Sequence, residues 1–79
     1  MREREFWVVY DYGTGGVWGV ACAPSKAEIV RIFPELQVID ETPSWMTADR
    51  KRAVRSASHF VVGKPTTYPE WLTALIEAR

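Results

Sequence analysis

Two runs of β-branched and aromatic residues, Phe6-Trp7-Val8-Val9-Tyr10 and Val17-Trp18-Gly19-Val20-Ala21-Cys22, flank Gly13-Thr14-Gly15-Gly16. Such side chains favour the pleated backbone, and clustered glycines permit the positive φ of a tight reversal, so the segment predicts a β-hairpin. Side chains alternate across a strand. Phe6, Val8 and Tyr10 therefore share one face and Trp7 and Val9 the other, while Trp18, Val20 and Cys22 oppose Val17 and Ala21. Both faces of the hairpin are apolar. A sheet covered on one side would alternate apolar with polar, so this pattern demands helices on both faces or a second chain against one of them.

After the hairpin, Pro24-Ser25-Lys26-Ala27-Glu28 reads as a capping box. It opens a short helix at Lys26 whose apolar side is Ile29, Val30, Ile32 and Phe33, and Pro34 ends it. Leu36 to Asp40 alternates as a third strand. Pro43-Ser44-Trp45-Met46 is a loop, and Thr47 caps a weakly apolar helix over residues 48–58 with Asp49 in its first turn. His59 to Val62 is either a fourth short strand or a buried tether, broken by Gly63-Lys64-Pro65. Thr67-Tyr68-Pro69-Glu70 reads as a second capping box before a helix with Trp71, Leu72, Leu75 and Ile76 on one stripe.

At 79 residues the chain makes a single domain over 1–79, able to bury only about 60% of the surface of its unfolded form. The expected fold is a small α+β sandwich in the order ββαβα(β)α, with a three- or four-stranded, mainly antiparallel sheet and two to three helices. Ten Lys and Arg balance ten Asp and Glu, so no global field draws the chain to nucleic acid or an anionic membrane. One cysteine cannot form an internal disulfide, which suits a reducing cytoplasm. Met1-Arg2-Glu3-Arg4-Glu5 has no apolar core of a signal peptide, and no apolar stretch approaches the roughly 20 residues that cross a bilayer. A cytoplasmic protein without membrane contact is expected.

Few residues carry chemistry. The glycine stretch lacks the helix that follows a phosphate loop. Cys22 precedes a helix start, which can activate a thiol, but no second cysteine stands nearby and His59, the one imidazole, is 37 residues away. Cys22 thus reads as a small core residue and His59 as a helix-terminal side chain. No spacing suggests metal ligands, and neither metal nor cofactor is expected. Lys51, Arg52, Arg55, Ser56 and His59 fall within a helical arc of about 140°, with Ala53, Val54 and Ala57 left to face the core. Trp45 and Met46 form either a plug at the core edge or an anchor for a partner. Trp7 and Trp18 lack the neighbouring cations that a base-stacking platform needs.

These observations favour a non-catalytic protein-interaction module that contacts a protein partner or a second copy of itself, as a homodimer, through Trp45, Met46, Lys51, Arg52 and Arg55. A second reading is a nucleic-acid-binding regulator using the basic helix 48–58, limited by its four cations to weak, salt-sensitive binding. A third is a small enzyme subunit centred on Cys22 or His59.

Overall fold

The computed structural model describes residues 3–11 and 16–79. Strands β1 (Arg4–Asp11) and β2 (Gly16–Ala23) form the expected hairpin, pairing from Asp11 opposite Gly16 to Arg4 opposite Ala23. The reversal expected at Tyr12 to Gly15 lies outside the described residues. Helix α1 (Lys26–Ile32), strand β3 (Gln37–Ile39), helix α2 (Ala48–Ala57) and strand β4 (His59–Val61) follow, then a 3-10 turn (Pro65–Thr67) and helix α3 (Glu70–Glu77).

The sheet order is β3-β1-β2-β4. β3 pairs antiparallel with β1, and β4 pairs parallel with β2. The fold is therefore the expected small α+β domain, with a mixed four-stranded sheet. The segment from His59 is a strand, anchored by the Val20 N–H on the Ser58 carbonyl at 2.9 Å and the Val62 N–H on the Cys22 carbonyl at 2.9 Å.

Local chemistry sets the helix starts. Ser25 accepts the Glu28 N–H at 3.3 Å and Thr47 accepts the Arg50 N–H at 3.2 Å, each satisfying an orphan donor of a first turn. The capping box at Ser25 is half-formed, because the Glu28 carboxylate turns to Arg31. Thr67 does not cap α3. That helix begins at Glu70 behind Pro69, with no side-chain cap, and the Thr67 hydroxyl instead takes the Val61 N–H of β4 at 2.9 Å.

The main core lies on the sheet face formed by Val8, Ala21, Ala23, Phe60 and Val62, covered by Ile29 and Phe33 from the α1 segment and Leu72 and Leu75 from α3. Phe33, Phe60 and Tyr68 meet edge to face, with centroids 5.6–6.2 Å apart. On the opposite face the register places Glu5, Trp7 and Val9 beside Cys22, Val20 and Trp18, with His59 next to Val20. Val20 is 1% exposed and Val9 and Met46 are also buried, outside the main cluster. The centre of the second face is thus covered by the chain itself, and no second copy is required to bury it. α2 packs against β2 and β4, yet none of its residues is fully buried. Ala53 and Ala57, expected to face inward, are exposed, while Lys51 and Val54 are half-buried. The helix rests on the sheet by one flank. Among the described residues, no helix is long and apolar enough to cross a membrane.

Candidate functional site

The second face carries a distinct group at each end of β2. Trp18, Val20 and Cys22 are successive residues on that face, so Trp18 and Cys22 stand about 13 Å apart along the strand.

At the Trp18 end, Trp45 leaves the loop before α2 and packs edge to face on Trp18, with centroids 5.7 Å apart. The Arg50 guanidinium lies over the Trp45 ring, 5.8 Å from its centroid, within the range of cation–π attraction. Trp45 is nonetheless 53% exposed. Met46, its chain neighbour, is 5% exposed. One residue of the pair is a plug and the other is surface. Of the basic residues singled out in the sequence, Arg52 is solvent-exposed and pairs with Asp49 at 3.4 Å, Lys51 is half-buried, and Arg55 reaches toward the opposite end of the sheet. Arg50, left out of the basic face, is the cation beside the aromatic pair. Its position follows from the Thr47 cap, which starts α2 so that the first turn folds back over Trp45.

At the Cys22 end, three neighbouring strands bring together groups far apart in sequence. β1 supplies Glu5, which faces Cys22 of β2 in register, and β4 supplies His59 opposite Val20, two residues from Cys22 on the same face. His59 Nε2 stands 3.3 Å from Cys22 Sγ and 3.0 Å from Glu5 Oε2. Arg55 of α2 donates to Glu5 Oε1 at 2.5 Å. His59 is therefore a sheet residue in contact with a thiol and a carboxylate, not a helix-terminal side chain. Cys22 lies half-buried on the second face, outside the main core.

The electrostatics follow from these contacts. The hydrogen bond from Arg55, and then that with His59, hold the Glu5 carboxyl below its ordinary pKa. Burial raises the Cys22 thiol above its ordinary range, and the Glu5 and Glu3 carboxylates raise it further, with Arg55 opposing. That direction works against a resting thiolate. The geometry also differs from a nucleophile relay, where one imidazole nitrogen faces the nucleophile and the other the carboxylate. Here both partners crowd Nε2.

A third surface, the shallow groove between Ser58 of the α2 end and Pro69, Trp71 and Ala74 of the α3 segment, is open and has Glu70 as its ionisable lining residue. Comparisons of the chain with protein-family models, with curated proteins and with solved structures find no match.

Proposed function

We propose that this chain is a non-catalytic interaction module that docks a protein partner on the Trp45 corner. The observation that carries this reading is a large aromatic side chain, 53% exposed yet fixed between Trp18 and Arg50. Exposing Trp is costly in water, and a ring held in one place loses little further entropy on binding, which is why Trp and Arg dominate binding energy at protein interfaces. Arg50 lies over that ring and Lys51 and Arg52 follow it on the same helix, so the complementary partner is an acidic protein segment carrying an apolar anchor for Trp45. Arg55 is engaged by Glu5 at the other end of the sheet and stands outside this corner. Met46 is buried and is not part of the contact surface.

The cation beside an aromatic pair also suits a nucleic-acid base, although Asp49 and Glu5 offset two of the helix's four positive charges. The test separates the two. Tagged wild-type protein and a Trp45→Ala/Arg50→Ala double variant are used as bait in host lysate, with and without nuclease, and recovered proteins are identified by mass spectrometry. The expected result is an acidic partner held by the wild type, lost by the variant and indifferent to nuclease. Identical recovery by both baits would overturn the reading, and recovery abolished by nuclease would replace it with phosphate-backbone binding.

A further inference from the structure

We propose that Glu5, Cys22 and His59 form a site for one zinc ion, with the fourth coordination position open to solvent. A carboxylate oxygen, a sulfur and an imidazole nitrogen, one from each residue, all lie within 4.8 Å of one another. Sulfur, imidazole and carboxylate are the donors a borderline-soft ion with tetrahedral habit accepts. Three protein ligands with one open position is the arrangement of zinc sites that bind a further group.

The contacts themselves favour a cation. Nε2 has one in-plane direction to offer, as a proton or as a lone pair, and two groups compete for it, Cys22 Sγ at 3.3 Å and Glu5 Oε2 at 3.0 Å. With the proton on Nε2, the thiol and the carboxylate share a single donor. With the proton on Nδ1, the Nε2 lone pair faces a carboxylate. A cation at the centre of the three removes this conflict, since each donor then aims a lone pair at the same point. Metal–ligand bonds of about 2.0–2.3 Å set tetrahedral ligand–ligand edges near 3.3–3.6 Å, so His59 Nε2 already stands within a few tenths of an ångström of its edges to the other two donors, and the Cys22 sulfur and the Glu5 oxygen, within 4.8 Å of each other, close on the ion by side-chain rotation. His59 and Glu5 side chains are 37% and 45% exposed, which leaves them room to do so.

Two further features favour the ion. The ligands stand on the paired backbones of β1, β2 and β4, so the spacing of their main chains is set before binding. Arg55 holds Glu5 Oε1 and leaves Oε2 turned to the cluster, the orienting role that outer partners play around metal sites. Binding is a simple exchange: the Cys22 S–H bond breaks, a Zn–S bond forms, and the proton passes to solvent. His59 coordinates through Nε2 with its proton on Nδ1, and nothing is oxidised or reduced. The sequence shows no ligand spacing because the three residues meet only through strand register.

The test uses the full chain kept reduced with a phosphine. Cobalt(II) is added as a spectroscopic stand-in for zinc. The expected result is a thiolate-to-cobalt charge-transfer band that saturates at one equivalent and is bleached by zinc. Cys22→Ser should abolish the band. His59→Gln and Glu5→Gln should each weaken cobalt binding at least about 100-fold, since losing an outer-shell partner alone costs about 10–100-fold. A second measurement needs no variant: zinc should slow iodoacetamide alkylation of wild-type Cys22 at least about tenfold, because a metal-bound sulfur is withheld from the reagent. The proposal fails if no band forms, if the band is unchanged in His59→Gln, if saturation falls at half an equivalent, which would place the ion between two chains, or if zinc leaves the alkylation rate unaltered.

Discussion

Gly19 sits where three structural features converge. A Cβ built there would stand 3.0 Å from the Ser58 carbonyl oxygen and 3.2 Å from the Trp71 ring. Neither neighbour is free to yield. The Ser58 carbonyl accepts the Val20 N–H that starts the β2–β4 ladder, and the Trp71 indole is tied by its own N–H to the Ser58 hydroxyl at 3.1 Å. Gly19→Ala should therefore cost about 1–3 kcal/mol, the range for overpacking a tight core, read as a lower urea midpoint with unchanged slope. Nothing in the sequence marks Gly19 as special, since its crowding comes from residues about 40–50 positions away. Trp45 and Met46 teach the complementary lesson. Both are large and apolar in one loop, and only the folded chain shows that Met46 is buried while Trp45 stays at the surface.

At the scale of elements, the sequence made most of the local structure legible. Two β-branched and aromatic runs about a glycine cluster gave the hairpin, and Ser25 and Thr47 marked the starts of α1 and α2, because capping is a matter of one hydroxyl and an amide three residues on. Thr67 misleads for the same reason: its hydroxyl has a nearer use. It accepts the Val61 N–H at 2.9 Å and donates to the Lys64 carbonyl at 2.7 Å, standing in for the neighbouring strand that β4 lacks at the sheet edge. Thr67→Val, which keeps the shape and removes the hydroxyl, should raise amide hydrogen exchange at Val61 selectively while α1 exchange is unaffected. Equal exchange in both proteins would show that the threonine does not secure the edge. The candidate site was hidden at this scale. Glu5 and Cys22 face each other by hairpin register, but His59 arrives through a parallel pairing of three residues, and no local pattern encodes which strand so short a segment joins.

Across the whole molecule, the end of α3 is fastened to the end of α1. Arg79 forms a two-pronged pair with Glu35, at 2.7 and 2.6 Å, and donates to the Ile32 carbonyl at the end of α1 at 2.9 Å. The guanidinium's hydrogen bonds hold the Glu35 carboxyl below its ordinary value. The folded chain thus binds fewer protons than the unfolded one in acid, and the pair's contribution is complete above the unfolded carboxylate value of about 4.3. It is lost as pH falls through the lowered native value. Glu35→Gln should lower the melting temperature slightly near neutrality and converge with the wild type in acid; a difference that persists unchanged in acid would exclude the pair as its source. The effect is small because both side chains are open to solvent and screened. The strand order has a different consequence, one that concerns how the chain is made. The hairpin occupies the centre of the sheet, and its flanking strands come later in sequence. During synthesis, β1 and β2 emerge first, apolar on both sides and bare along both edges, and the β2 edge stays open until His59 has left the ribosome. Until β3 and β4 have paired, the nascent hairpin is therefore an adhesive ribbon, and the time between the making of β2 and the arrival of β4 is the interval in which the chain is most open to wrong partners.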